Sequence, residues 1–348
     1  MHRMKIQPES TIRLLLAATL ASLCACAGNH AALNPAGPDA RRIAGVWWLF
    51  FDVAVAVYVI VIAGLVFALM RRRTAPADST PRTESSGATR AEDGASRIIV
   101  GTAVGITVAV LIVLALSDFL AQHTLAKSPP DPLRIELTGY QWWWGVQYDD
   151  PDPAGRFHTA NELHVPVGRT VQLIMSSQDV IHSFWLPNLQ GKKDLIPGRV
   201  TEAVFTAERP GVYEGQCAEF CGYQHAKMRL IVHADPQDAF NAWKAKQHQP
   251  GQAPQTDDQH HGLEVFMQSS CSLCHTIQGT HAQATIGPDL THLAGRGTLA
   301  AGSLPNTPEN LSSWILDPQH IKPGVRMPGT AMSPQDLRAL VAYLTSLQ

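Results

Sequence analysis

Cys217-Ala218-Glu219-Phe220-Cys221-Gly222-Tyr223-Gln224-His225-Ala226-Lys227-Met228 places two thiols, an imidazole and a thioether within twelve residues. Cys217 and Cys221 stand four apart on a loop between two strand-like runs, so both sulfurs can face one point. His225 lies four residues further on and Met228 three beyond it. Thiolate, imidazole and thioether together select copper over hard cations. Two thiolates bridging two coppers would share one electron and spread the charge change on transfer. A second imidazole is needed, and His182 in Asp179-Val180-Ile181-His182-Ser183-Phe184-Trp185 is the candidate. The plainer alternatives are a disulfide, an ordinary loop histidine and a core methionine. The disulfide is the weaker reading, because the cysteine pattern continues into His and Met at suitable offsets.

Fifty residues after Cys221 comes Cys271-Ser272-Leu273-Cys274-His275. Cys-x-x-Cys alone fits a redox dithiol or half of a zinc site, but the adjoining histidine makes it a haem-attachment motif. Cys271 and Cys274 then form thioethers and His275 is the proximal ligand. No second cysteine pair exists to complete a structural zinc site.

Outward from these motifs the chain divides by composition. The 348 residues allow two or three domains, and a net charge of −2 gives no case for nucleic-acid binding. Residues 1–26 resemble a secretory leader, with Arg3, Lys5 and Arg13 before the apolar stretch Leu14–Leu23. Leu23-Cys24-Ala25-Cys26 also resembles a lipobox that would leave Cys26 lipidated; simple cleavage or an uncleaved leader are the alternatives. Residues 27–130 should hold a transmembrane hairpin, with apolar spans Val46–Met70 and Ile98–Leu120 long enough to cross a bilayer. Arg71, Arg72, Arg73, Arg82, Arg90 and Arg97 put the intervening loop on the cytoplasmic side, and its composition suggests mobility. Neither span contains a histidine, so ligation of a membrane-embedded haem or copper is not expected. Trp47, Trp48 and Asp52 read as interfacial anchors or contacts with partner helices.

Past the hinge Lys127–Pro132, residues 131–246 read as an all-β Greek-key domain. Leu133, Ile135 and Leu137 alternate with polar residues, and strand-like runs recur at 162–167, 170–176, 201–206, 212–216 and 228–233. Asp235 should cap a helix with Pro236 at its first position. Residues 247–257 read as a flexible linker. Residues 258–348 carry helical signals: a helix around Gly262–Ser270, another capped by Thr307, and a last one opened by a Ser333–Asp336 capping box. Leu337, Leu340, Val341 and Leu344 of that last helix form a stripe for packing on the first helix near Phe266.

Residues 40–246 resemble the CuA domain of the cytochrome c oxidase subunit II family, with a cupredoxin fold. The likeness rests on Gly139-Tyr140-Gln141-Trp142-Trp143-Trp144, the His182 segment, Lys193-Asp194-Leu195-Ile196-Pro197-Gly198-Arg199 and the cysteine loop. It implies copper ligation by His182, Cys217, Cys221, His225 and Met228, and by the Glu219 backbone carbonyl. The Glu219 carboxylate would be left for magnesium at a contact with subunit I. It also makes Trp142 the residue through which electrons arrive, with packing or subunit contact left to Trp143 and Trp144. Residues 258–348 resemble a small class I cytochrome c. There Met327, in Arg326-Met327-Pro328-Gly329, matches the distal ligand, ahead of Met332, while Met267 lies too close to the attachment motif. Gly287-Pro288-Asp289-Leu290 matches the segment whose Pro288 carbonyl orients His275.

The fold class expected is therefore multidomain: a two-helix membrane hairpin, an all-β cupredoxin domain and an all-α cytochrome c domain. The function implied is an electron-transfer subunit of a caa-type oxidase in the bacterial cell membrane, its copper and haem domains on the outer side. Its partners would be subunit I and other oxidase subunits, a donor cytochrome c or other periplasmic donor, and membrane lipid. The alternatives are the corresponding subunit of a CuA-containing nitric oxide reductase and, from another class, a copper chaperone. With 14 acidic against 11 basic side chains in 131–246 and 6 against 4 in 258–348, the two domains carry net −3 and −2. Docking of one on the other by bulk charge is therefore not expected; the linker's reach should bring the haem edge to Trp142.

Overall fold

The computed structural model describes residues 30–74, 88–125, 131–150, 152 and 155–348. The leader with Cys24 and Cys26, the middle of the inter-helix loop and part of the Lys127–Pro132 hinge lie outside them. Two compact units emerge: Arg42–Lys127, and Ser128–Gln348 together with the segment ending at Arg41.

Helices α1 (Pro38–Thr74) and α2 (Ala88–Leu125) account for the first of these units. Within them Pro38–Arg71 and Ser96–His123 are long and apolar enough to cross a membrane, with mean hydropathy of 2.9 and 2.8 over the most apolar windows. Both helices outrun the apolar runs that announce them. Ala88–Ser96, expected as mobile loop, is helical, because its Ala, Arg and Glu favour helix although its charged residues keep it out of the apolar run. The Trp47 ring stacks on Phe51 at 5.2 Å and meets Trp48 edge-on at 4.6 Å.

In the second unit, ten strands build a cupredoxin-like sandwich: β1 (Leu133–Tyr140), β2 (Trp143–Tyr148), β3 (Phe157–Ala160), β4 (Glu162–Pro166), β5 (Thr170–Ser177), β6 (His182–Leu186), β7 (Gln190–Leu195), β8 (Thr201–Thr206), β9 (Gly211–Gln216) and β10 (Arg229–Asp235). One sheet runs β3-β2-β1-β5-β8, a second β4-β10-β9, and β6-β7 form a hairpin. Alternation drives the packing: Ile135, Leu137, Val171 and Leu173 are fully buried from one sheet, Leu163 and Val232 from the other. Four strands, β2, β3, β6 and β7, escape a search for alternation; β3 is only four residues long and β7 carries three consecutive exposed residues. The tryptophan run hides β2, whose Trp144, Val146 and Tyr148 point inward. Strand β6 is buried on nearly every residue and so has no polar face. The chain before α1 is joined to this sandwich, with Ala36 N donating to the Asn188 carbonyl at 2.7 Å and Glu208 N to the Ala36 carbonyl at 2.9 Å. A Cβ at Gly37 would lie 2.2 Å from the Thr206 carbonyl oxygen, so glycine is required at that crossing.

Helix α3 (Gln237–Gln247) differs from expectation at its start. Asp235 ends β10 and its carboxylate pairs with His164 Nδ1 at 2.6 Å, so it does not cap the helix; Pro236 holds the cap position without a side-chain bond.

The C-terminal part contains α4 (Asp257–Gln268), α5 (Pro308–Leu316), α6 (Pro318–Ile321) and α7 (Pro334–Leu344). Helix α4 starts five residues before Gly262, because Thr256 caps it by accepting from Gln259 N at 3.2 Å. Ser333 caps α7 and bonds the Asp336 carboxylate, while Leu340, Val341 and Leu344 are buried in a core shared with Phe266. Helices α4 and α7 meet at Gly262, where a Cβ would fall 2.1 Å from the Ala339 carbonyl oxygen. Gly262→Ala is therefore expected to destabilise this domain by about 1–3 kcal/mol through overpacking. A thermal melt followed by haem absorbance checks this; an unchanged midpoint would contradict so close a crossing.

Candidate copper and haem centres

The copper-type residues converge where the β9–β10 loop meets the start of β6. Pairing of Gln216 with Arg229 closes the loop at its base, helped by Cys217 N donating to the Met228 carbonyl at 3.0 Å. Ala218 N donates to the Ser183 carbonyl at 2.9 Å, which draws the loop onto β6. Cys217 Sγ and Cys221 Sγ are then 3.8 Å apart, and both are buried free thiols. His182 Nδ1 lies 3.9 Å from Cys217 Sγ, and His225 Nδ1 lies 3.7 Å from Cys221 Sγ. Met228 Sδ stands 3.9 Å from Cys221 Sγ, and the Glu219 carbonyl oxygen 3.3 Å from Cys217 Sγ. All six groups expected from the sequence thus gather around one sulfur pair, in a soft donor set that suits copper.

The electrostatics agree with that chemistry. Cys217 is pulled far below the usual thiol range, chiefly by its bond to Cys221 and then, against desolvation, by His182; Cys221 is pushed up by the same pairing. The site is thereby prepared to hold a thiolate before metal binds. Burial alone would lower the His182 pKa, but Cys217 and Asp179 outweigh it and raise it. Asp179 Oδ1 lies 2.8 Å from His182 Nε2 and so fixes which ring nitrogen faces the sulfurs. In the sequence Asp179 is marked only by its position three residues before His182. Glu219 is exposed, and among the described residues its carboxylate joins no group of metal-ligating side chains, so the magnesium expectation gains no support.

The haem-type residues lie on a second wall. A short 3-10 turn, Ser270–Leu273, is followed by Cys274 N and His275 N donating to the Cys271 carbonyl at 3.2 and 3.0 Å. This brings Cys271, Cys274 and His275 onto the lining of one cavity. His275 Nδ1 donates to the Pro288 carbonyl at 2.7 Å. Burial lowers the His275 pKa despite that bond, keeping the ring neutral and Nε2 free as a ligand. Gly287 makes room for the ring, since a Cβ there would lie 2.6 Å from His275 Cε1. Met327 lines the same cavity, whereas Met332 and Met267 pack against the helical core. The remaining wall is largely apolar, with Phe266, Leu311, Ile315 and Leu340. Two thiols, a neutral imidazole and a thioether around an apolar slot fit a covalently attached haem.

The two sites share a boundary. Tyr140, Gln141, Trp142 and Trp143, from the β1–β2 turn and the strand ends flanking it, line the haem-type cavity as well. Trp142 is buried and its Nε1 donates to the Cys221 carbonyl at 2.9 Å, with Gln141 Nε2 on the same oxygen at 2.8 Å. One side chain therefore touches the copper-type loop and walls the haem-type cavity. Trp143 stacks on Tyr140 at 4.3 Å, while Trp144 is core.

A model of the cytochrome c oxidase subunit II periplasmic domain matches residues 152–235, and a cytochrome c model matches 259–348. Cytochrome c oxidase subunit 2 of Alkalihalophilus pseudofirmus is 35% identical over 335 residues, which is 94% of this chain and 94% of that one. The chain belongs to the cytochrome c oxidase subunit II family. The subunit 2 protein of Bacillus sp. strain PS3 is 31% identical over 262 residues, covering 70% of this chain and 72% of the relative. A crystal structure of the periplasmic domain of subunit II of cytochrome oxidase from Bradyrhizobium japonicum is 34% identical, with a TM-score of 0.33, over 35% of this chain and 96% of that domain. As a subunit II with a fused cytochrome c domain, the chain is part of a haem-copper oxidase, an oxidoreductase complex. Its subunit II domain implies CuA copper and its cytochrome c domain implies haem.

Proposed function

We propose that this subunit II chain takes electrons from a donor cytochrome at its haem domain and delivers them, through Trp142 and the Cys217–Cys221 loop, to subunit I, where oxygen is reduced to water. The observation that carries this reading is Trp142 itself, which borders the haem-type cavity and bonds the carbonyl of Cys221. When bound, haem c supplies a one-electron carrier and binuclear copper a second one whose charge is shared between two metals.

The chain's residues divide the work. Cys217, Cys221, His182, His225, Met228 and the Glu219 carbonyl would hold the copper. Asp179 holds the His182 ring in the required tautomer. Cys271 and Cys274 would anchor the haem and His275 and Met327 would ligate it, with the Pro288 carbonyl orienting His275. Arg296, half-buried on the cavity wall, would offer a cation to a haem carboxylate. Helices α1 and α2 hold the chain in the bacterial cell membrane, with the arginine-bearing loop cytoplasmic and the copper and haem domains outside. Membership of an oxidase family favours oxygen over nitric oxide as the final acceptor, and a copper chaperone would need no haem domain.

Two measurements test the reading. Reducing the loaded protein anaerobically with a donor cytochrome should reduce haem before copper; copper reduced first would contradict the route. Met327→Ala is expected to abolish the weak far-red sulfur-to-iron band of the oxidised haem while leaving the haem attached, and Met332→Ala to leave the band intact. The reverse pattern would move the distal role to Met332.

A further inference from the structure

The haem domain is held on the copper domain by more than the connecting chain. Lys322, just after α6, is 2% exposed. Its Nζ donates to three main-chain carbonyl oxygens: Trp142 at 2.8 Å, Lys227 at 2.8 Å and Ala300 at 3.1 Å. An ammonium has three protons to donate, so the buried group is fully satisfied. Two of its acceptors belong to the copper domain, and both border the copper-type site: Trp142 bonds Cys221, and Lys227 precedes Met228. The third acceptor belongs to the haem domain.

Other bonds tie the same edge. Gln224 Nε2 donates to the Pro323 carbonyl at 2.8 Å, and Arg229 N to the Ala301 carbonyl at 3.1 Å. A second fixed point lies on the neighbouring strand, where the Glu162 carboxylate of β4 accepts from Gly297 N at 3.1 Å, Thr298 N at 2.8 Å and Thr298 Oγ1 at 2.7 Å. Desolvation opposes ionisation of this buried carboxyl, but His233, Thr298 and Gly297 together hold it below the usual range.

A lysine buried without a carboxylate is costly unless every proton finds an acceptor. Burial, chiefly, and the Lys227 ammonium pull the Lys322 pKa down to about 7, with Cys221 acting the other way, while the three carbonyl oxygens satisfy its N–H groups. An apolar residue would fill the space at less cost if packing were all the position required. What lysine adds is a fixed connection from the segment carrying Met327 to the backbone of Trp142.

We infer that Lys322 is a positioning residue for electron transfer between the two domains, latching the haem domain against Trp142 so that the pair is docked in the resting protein. This rests on the reading that haem and copper occupy the two sites. Transfer then needs no search by the haem domain, and its rate is set within the docked pair. Glu162 is the second latch, acting through Gly297 and Thr298.

The test uses the full chain in detergent, loaded with haem and copper. Copper resonance spectra and the far-red haem band are recorded first in every variant. After flash reduction of the haem, Lys322→Met is expected to reduce copper about tenfold or more slowly than the unaltered protein. Its rate should also fall as solvent viscosity rises, which the docked wild type should not show, while both reduction potentials stay put. Glu162→Gln should shift the rate and its viscosity dependence in the same direction. A wild-type, viscosity-independent rate in Lys322→Met with both centres intact would overturn the latch. If Lys322→Met fails to load haem, Glu162→Gln decides: an unchanged, viscosity-independent rate overturns it as well. Absence of either centre from the unaltered protein would overturn the functional reading instead.

Discussion

Cys217→Ser or Cys221→Ser is expected to eliminate the shared-electron copper centre. Each sulfur faces a different imidazole, His182 on one side and His225 on the other, and the two sulfurs are 3.8 Å apart. Both thiolates would be needed to hold two coppers that share an electron, and a serine hydroxyl is too hard and too weakly acidic to replace a thiolate. Electron paramagnetic resonance of the copper-loaded full chain should show coupling to two equivalent nuclei in the unaltered protein. In either serine variant the spectrum should collapse to that of one localised copper or vanish. Met228→Leu should behave differently, shifting the potential while the two-nucleus pattern survives, because it leaves both thiols and both imidazoles in place and removes only a neutral thioether. A two-nucleus pattern persisting in Cys217→Ser would remove that sulfur from the bridge.

Trp142→Ala should slow haem-to-copper transfer by about tenfold or more, on the scale by which a misplaced group costs an otherwise unaltered reaction. The substitution removes both a stretch of cavity wall and one donor to the Cys221 carbonyl, while Gln141 still bonds that oxygen. The copper spectrum should therefore stay close to that of the unaltered protein. Truncating a buried tryptophan also costs about 3–5 kcal/mol of stability, so Trp142→Phe provides the control. It keeps an aromatic ring against the cavity, loses only the Nε1 bond, and should retain more of the rate than Trp142→Ala. Equal rates in all three proteins would exclude Trp142 from the route.

Much of this arrangement is written locally in the sequence. The copper loop is legible because Cys217, Cys221, His225 and Met228 fall within twelve residues of one loop, and Cys271-Ser272-Leu273-Cys274-His275 is legible for the same reason. His182 needs the fold, which seats its strand under the loop. Strand β6 itself is not legible, since burial on nearly every residue erases alternation. Asp235 misleads because its carboxylate is taken by His164 across the sheet, a partner 71 residues away.

The docking of the haem domain is the least legible feature. Net charges of −3 and −2 point away from it, and residues 247–257 read as a free tether. In the structure Gln247 closes α3, Asp257 opens α4, and Gly251 N donates to the Gln278 carbonyl at 2.9 Å. The contacts that hold the domains are mostly single side chains on main-chain groups: Lys322 on three carbonyls and Glu162 on two amides. Backbone acceptors are present at every residue, so sequence carries no mark of which ones a buried lysine will find.

The most direct test of electron transfer along this single chain is flash reduction of the haem in the full-length, copper-loaded protein, with copper reduction followed over a wide range of protein concentration. A copper-reduction rate independent of concentration, and only weakly dependent on salt, is the result expected from a haem domain docked on Trp142. A rate that rises in proportion to protein concentration would contradict it.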